Sequence, residues 1–324
     1  MAAVGDRHGL TGAGPRALVT GGAGFIGSHI VERLLADGHG VCVVDDLSTG
    51  SAHNVPPGAR FRQLDICDLT SLREVFSDFR PEVVFHAAAQ TDVRRSIREP
   101  DFDARVNVLG GLNVLRAAAA VEARRIVYAS SAAVYGQPQR LPVSEVDATR
   151  PISEYGASKL AVEHYLSAYA ARGLIETVVL RYANVYGPRQ RADGEAGVVA
   201  IFTRRMLAGE PVTIFGDGTK TRDYVYVGDV VEATVRAAAG PSGVVANVAW
   251  GREVADLELF REVAAATGYP KGPTHAADRR GDIARICLDP TVAGRTWDWR
   301  ASESLKDGVR RVVEAARARL ELAR

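Results

Sequence analysis

The chain has 324 residues, 47% of them apolar, enough to bury a large core. Its 40 Lys and Arg nearly cancel 39 Asp and Glu, so no electrostatic field points to nucleic acid or to a membrane surface, and an anionic ligand has to be caught locally. Cys42, Cys67 and Cys287 are odd in number and far apart, and no segment approaches the ~20 apolar residues of a membrane span; the expectation is a cytoplasmic protein with reduced cysteines and no metal.

The first fifteen residues, "MAAVGDRHGLTGAGP", are Gly-rich, lack a signal-peptide core and predict a disordered tail over 1–15. From Arg16, short β-branched runs alternate with Ala- and Leu-rich helical stretches. The runs are "RALVT", "VCVVD", "RFRQLD", "EVVFHAA", "RIVYAS", "TVVLRYAN" and, late, "VANVAW". Near-continuous apolar runs suit strands covered on both faces, and the intervening helical lengths suit right-handed crossovers, so a doubly wound parallel α/β sheet is predicted. After Asn184 the rhythm breaks into loops rich in Gly, Pro and Arg before a closing helix. The predicted division is a dinucleotide-binding domain over 16–182, with a segment near 222–250 returning to it, and a smaller ligand-holding lobe formed mainly by 183–324.

The first strand runs into "TGGAGFIGSHIVERLL", which satisfies G-x-G-x-x-G with Gly22, Gly24 and Gly27 and G-x-x-G-x-x-G with Gly21, Gly24 and Gly27. Missing side chains let the backbone approach a pyrophosphate, which then sits on the free N–H groups of a helix starting near Phe25 and Ile26. Asp45, in "VCVVDD", follows at about twenty residues, the Rossmann spacing for a ribose contact. A carboxylate there accepts from a 2′-hydroxyl and repels a 2′-phosphate, which favours NAD over NADP; the alternative is an ordinary strand-end acid. Asp65, in "QLDICD", stands where an adenine amino group could be met or where a helix could be capped.

Farther on, "SEYGASKLAVEHYL" places Tyr155 and Lys159 four residues apart, on one face if the segment is helical. A phenol near pKa 10 has to lose about three units to act as a base at neutrality, about 4 kcal/mol, and a fixed ammonium nearby can supply that order of energy.

Six ordered motifs, "TGGAGFIGSH", "FHAAAQTDVRRSI", "YASSAAVYG", "PISEYGASK", "LRYANVYGPRQ" and "IFGDGTKTRDYVYV", resemble the extended short-chain dehydrogenase/reductases and, within them, the bacterial UDP-glucose (UDP-galactose) 4-epimerases. The likeness runs from Ala17 to about Pro290. It implies a catalytic trio of Ser131, Tyr155 and Lys159, and cofactor contacts that add Asp46, Ile66, Ala87, Ala88, Ala89, Asn107 and Tyr182. For Tyr182 a packed core tyrosine is the other reading. The resemblance further implies a grip on a UDP-hexose from Asn184, Val198, Val199, Thr213, Phe215, Arg222, Arg279 and Asp282, with Arg222 and Asn184 on the diphosphate, Phe215 on the uracil, and a size gate near Ile286 and Cys287. For Arg279 a solvated surface charge is the alternative. The reaction it implies is oxidation at sugar C4 to a 4-keto sugar and return of the hydride to the other face, on a homodimer paired through the Ala-rich helices around 104–120 and 156–172; core helices packed on the sheet are the other reading of those faces.

Two departures stand out: Ala133 where many such epimerases carry Thr, and Trp250, in "NVAWGRE", where a small residue is usual. Related 4,6-dehydratases place an Asp-Glu pair at the positions of Ala132 and Ala133, so water elimination is not expected here. UDP-glucuronate and dTDP-hexose 4-epimerases are rivals, the first because "PRQR" offers Arg189 and Arg191; Asn184 and "GEAGVV" favour a neutral hexose. A non-catalytic NAD-sensing regulator is a rival of another class, disfavoured because the trio is complete.

Overall fold

The computed structural model describes residues 14–192, 197–278 and 283–322. Residues 1–13 of the expected tail, and Arg279 and Asp282 of the expected sugar-nucleotide grip, lie outside them.

In chain order the elements are β1 (Arg16–Thr20), α1 (Phe25–Ala36), β2 (Gly40–Asp45), β3 (Arg60–Gln63), α2 (Leu69–Phe79), β4 (Val83–His86), α3 (Val93–Arg98) and α4 (Pro100–Asp103). A π-helical turn over Ala104–Gly110 leads into α5 (Gly111–Ala120), followed by β5 (Arg125–Ser131), α6 (Glu154–Ala171), β6 (Glu176–Tyr182), β7 (Asn184–Tyr186), α7 (Val198–Leu207), β8 (Thr213–Phe215), β9 (Thr221–Arg222) and β10 (Tyr224–Tyr226). The chain closes with α8 (Val227–Ala239), β11 (Val244–Val248), β12 (Val254–Ala255), α9 (Asp256–Thr267), β13 (Thr274–Ala276), α10 (Thr291–Trp297) and α11 (Leu305–Leu322).

Each of the seven runs expected to be strands contributes to one seven-stranded sheet, in the order β11-β6-β5-β4-β1-β2-β3. Every pairing in it is parallel. Two-residue periodicity sorts the strand side chains into two cores. Ala17, Val19, Val41, Val43, Phe85, Val127 and Leu180 pack with α1 and α8 on one face, while Leu18, Cys42, Val44, Val84, Ile126 and Val179 pack with α2, α5 and α6 on the other. Both faces are therefore dry, which is why the strands read as unbroken apolar runs rather than alternating ones.

Strand order reverses between β1 and β4, the adjacent central strands from which the sheet winds outward both ways. A crevice opens there, at the carboxyl ends of the strands. A separate apolar cluster built from Val199, Phe202, Met206, Ile214, Tyr224, Phe260 and Val309 joins α7, α9 and α11 into a smaller lobe over that crevice. Late in the chain, β11 pairs with β6, and α8 covers the first core.

Phe76 on α2 is fully buried in the second core. Phe76→Ala is expected to cost about 3–5 kcal/mol, read as a lower denaturant midpoint with an unchanged m-value.

Candidate active site

The carboxyl edge of the sheet and the smaller lobe enclose a cleft of about 1520 Å³, lined at one end by Gly21, Gly24, Phe25, Ile26, Gly27, Asp45, Asp46, Asp65 and Ile66. Ala87, Ala88, Ala89, Ser131, Tyr155 and Lys159 line its middle, and Asn184, Val198, Val199, Thr213, Phe215 and Arg222 its far end. One continuous space thus brings together residues spread from position 21 to 222.

At the first end the glycine turn has no room for side chains. A Cβ on Gly27 would lie 2.1 Å from the Gly21 carbonyl oxygen, and one on Gly21, where φ is +71°, would lie 2.6 Å from the Ala88 nitrogen. The turn is therefore pressed between its own helix and the β4 loop, with the amino end of α1 facing the cleft, a geometry that fits a pyrophosphate. Asp45 braces it: the Ala23 and Leu47 N–H groups donate to its two oxygens, each at 2.9 Å. Burial pushes its carboxyl above the usual range, and those two donors oppose the shift. A carboxylate offers about four acceptor positions, so capacity remains for ribose hydroxyls. Asp46 is exposed and turned into its own loop, accepting from Ser48 N–H and Oγ. The capping alternative for Asp65 fails, because the cap of α2 is Asp68, which accepts from Ser71 N–H at 3.1 Å; Asp65 instead accepts from Cys67 N–H in a local turn and faces the cleft.

Ser131 ends β5 and Tyr155 lies in the first turn of α6. The helix starts there because the Ser153 hydroxyl accepts from Gly156 N–H at 3.2 Å, an N-cap ahead of an Ala-rich stretch. Gly156 then lets the first turn lie against the Ser131–Tyr135 segment, where any Cβ would come within 2.5 Å of the Ala133 carbonyl oxygen. That approach sets the Ser131 hydroxyl beside the Tyr155 phenol, while Ala133 N–H donates to Ser131 Oγ at 3.2 Å.

Lys159 lies one turn on, 3% exposed, with Nζ donating to the Ala129 carbonyl at 2.9 Å and standing 5.9 Å from the Tyr155 ring centre. Burial lowers its pKa to about 8, opposed by the negative charges of Asp103 and Glu163. Burial likewise pushes the Tyr155 phenol up to about 12; the Ser131 hydrogen bond lowers it and the Asp103 charge raises it further. Here the structure corrects the sequence expectation: the shift from protein groups is upward, because desolvation of the phenolate outweighs every favourable contact. Behind the pair, His86 is hydrogen-bonded to Thr20 Oγ1 at 2.7 Å, and burial holds it neutral at a pKa of about 3.

Two residues expected at the cofactor act differently. Asn107 is 3% exposed and behind the cleft wall, accepting from Gln90 N–H and donating Nδ2 to Gln90 O, Asp103 Oδ1 and Ser158 Oγ, so it fixes the wall and offers no polar atom to a ligand. Tyr182 reaches the cleft with its edge, but its hydroxyl bonds Thr234 Oγ1 at 2.8 Å within the first core, which favours the packing reading.

In the second lobe Arg222 is held by its own strand, NH1 donating to Thr221 O, and Thr213 Oγ1 meets Thr274 Oγ1 at 2.9 Å. Ile286 lines the cleft. Arg189 and Arg191 turn toward the other end: Arg189 pairs with Glu32 and donates to Ser28 Oγ on α1, and Arg191 donates to Thr49 O. Trp250 belongs to a different feature, its N–H donating to Asp223, a fully buried carboxylate that also accepts from Gly251 and Leu288 N–H and is pushed up to about 6 by burial. Sequence reasoning missed Asp223, Asp103, Ser158 and Gln90; buried, hydrogen-bonded polar residues carry no periodic signal that separates them from surface ones.

The model of the NAD dependent epimerase/dehydratase family matches residues 17–249. A UDP-glucose 4-epimerase of Mycolicibacterium smegmatis is 46% identical over 307 residues, covering 92% of this chain and 97% of its own. Among solved structures, the Thermotoga maritima UDP-glucose 4-epimerase with UDP-glucose superposes with a TM-score of 0.93 at 44% identity, covering 94% of this chain and 99% of its own. The UDP-glucose 4-epimerase of Thermus thermophilus, in complex with NAD, does so with a TM-score of 0.89 at 45% identity, covering 93% and 99%.

Gly27→Ala is expected to abolish co-purification of a dinucleotide, read from the absorbance spectrum of the supernatant after denaturation. It should also lower Tm by several degrees, because the added methyl has only backbone to displace.

Proposed function

Because the chain belongs to the NAD dependent epimerase/dehydratase family, we propose that it inverts C4 of UDP-glucose and UDP-galactose with NAD retained through the cycle. The observation that carries this reading is the cleft itself, where Ser131, Tyr155 and Lys159 stand between the glycine turn and the Asn184–Phe215–Arg222 end. NAD, held by the glycine turn and Asp45, would supply the acceptor for the sugar C4 hydride and the donor for its return.

The remaining work falls to the side chains. Tyr155 takes the proton of the 4-hydroxyl and later returns it to the ketone oxygen, and Ser131 holds the same oxygen through its hydroxyl. Lys159 supplies the positive charge that the buried phenol lacks and a donor for the cofactor ribose. Arg222 and Asn184 hold the diphosphate, and Phe215 with Val198, Val199 and Thr213 holds the uridine, so the hexose can swing about a fixed anchor. Arg279 and Asp282 would extend that grip.

A neutral hexose is favoured over a glucuronate because Arg189 and Arg191 are engaged beside α1 and Thr49. Dehydration is disfavoured by the apolar pair Ala132 and Ala133 after β5. The three thiols, none of them in a disulfide, suit the cytoplasm. We also propose a homodimer: Leu109 and Tyr165 are exposed on the packed π-turn and α6 surface, and Val93 and Ile97 on the adjoining α3. Residues 16–182 with the returning β11 and α8 form the cofactor domain in this reading.

Tyr155→Phe is expected to reduce interconversion of UDP-galactose and UDP-glucose by roughly 10²–10⁴-fold while bound NAD stays at the parental level. A variant that turns over at the parental rate would remove Tyr155 from the mechanism. In the parent, kcat should fall as pH climbs through the Lys159 value of about 8, where the ammonium is lost. Light scattering should give twice the monomer mass, and Leu109→Arg should shift it toward monomer.

A further inference from the structure

We propose that Asp103 is a positioning residue of this reaction: it braces the Tyr155–Lys159 turn through Asn107 and Ser158, and it sets a buried negative charge behind that turn. The inference rests on the epimerase reading for its kinetics, but not for its second readout below.

Asp103 ends α4 and is 1% exposed. Its Oδ1 accepts from Gln90 Nε2 at 2.9 Å and from Asn107 Nδ2 at 3.0 Å. Asn107 Nδ2 also donates to Ser158 Oγ, whose own hydroxyl donates to the Tyr155 carbonyl, so the chain of contacts ends on the first turn of α6. The other oxygen, Oδ2, is buried with no hydrogen-bond partner among the described residues. An unpaired carboxylate oxygen in the interior is destabilising. The hydrogen bonds alone do not account for it, because an asparagine oxygen could accept from the same two donors. What only the carboxylate brings is charge.

The charged and titratable groups around it show where that charge acts. From α6 come Tyr155 and Lys159, and from the strands Tyr128; Glu163, one turn on, and the neutral His86 interact with Lys159. Glu163 is committed to Arg181, both nearly buried, and accepts from Ser130 Oγ. On the outer side Arg95 is bonded to Glu99 and stacked 3.8 Å from the Phe102 ring centre, and Arg105 also leans on that ring. Asp103 thus shares with Glu163 the task of holding a buried lysine charged, and it opposes ionisation of Tyr155.

Removing one negative charge favours the phenolate and disfavours the ammonium, so both limbs of the kcat–pH profile should move to lower pH, by roughly one unit at an effective dielectric near 20. The test is Asp103→Asn on the NAD-loaded enzyme, measuring kcat and KM for UDP-galactose from about pH 5 to 10. The expected result is an acid-shifted profile, kcat reduced several-fold at pH 8.5, and KM within twofold of the parent. Asn107→Ala, which breaks the brace and keeps the charge, should lower kcat without moving either limb.

A second readout needs no substrate: the phenolate absorbance of each protein minus that of its Tyr155→Phe counterpart, titrated with pH. Its midpoint should fall in Asp103→Asn. Should the amide variant not fold, Asp103→Ser removes the same charge with a smaller side chain and carries the same expectations. Unmoved limbs and an unmoved phenolate midpoint in an active enzyme would overturn the proposal. A parent that inverts none of its expected substrates, yet whose phenolate midpoint shifts in the variant, would sink the epimerase reading and leave the role of Asp103 standing.

Discussion

A short set of contacts beside Ser131 and Tyr155 keeps one ammonium under the protein surface. Lys159 is almost fully buried, and desolvating a lysine costs more than any single contact it makes here returns. Its stem comes from α6 and its head rests on the Ala129 carbonyl of β5, so the strand and helix have a fixed relation at that point. Glu163, one turn along the same helix, reaches the Ser130 hydroxyl of the same strand and is paired with Arg181 from β6. The edge that carries Ser131 is held from both sides by these contacts, and the Gly156 approach then sets Tyr155 against it.

Two lobes divide the binding work by chemistry. The parallel sheet can offer backbone N–H groups only where its strands end, so the glycine turn beside the β1–β4 switch point is where the anionic centre of a dinucleotide would fit. The smaller lobe presents a mix suited to a nucleotide diphosphate: an arginine on a short strand, an aromatic ring and apolar residues at the start of α7. Ser131, Tyr155 and Lys159 are on neither periphery but at the seam, because β5 and α6 are among the last elements of the sheet domain before the chain crosses over. The Arg189 and His29 contacts then tie the crossing segment back to α1, His29 Nε2 meeting the Pro188 carbonyl at 3.1 Å.

Local pattern made the sheet and the glycine turn legible: buried parallel strands write themselves as apolar runs, and a turn with no space for Cβ atoms has to be glycine. Tyr155 and Lys159 were legible because their spacing puts them on one face of a helix. Three features were not. Asp68 and Asp65 are three residues apart and both are aspartates ahead of a helix, and only backbone conformation decides which one caps. Asn107 and Tyr182 sit in motifs that reach the cleft, yet their polar atoms are engaged behind the wall or in the core, a matter of side-chain direction. The sign of the Tyr155 shift was hidden because desolvation depends on what closes over the ring, which no i, i+4 pair encodes.

A raised phenol changes how the site has to work. Protein groups alone leave it at about 12, and Asp103, which helps Lys159, pushes Tyr155 the wrong way. A site built only to make a strong base would dispense with that carboxylate. One built so that the base strengthens when positive charge enters the cleft beside it gains from the arrangement, since an alcohol is then deprotonated only where an acceptor for its hydride is present. Lys159 has to remain charged throughout for that coupling to operate. A carboxylate that gives up some phenol acidity to keep the lysine protonated is the smaller loss, because a neutral Lys159 would remove both the electrostatic support and a donor, whereas a weak phenol is corrected by the next charge to arrive.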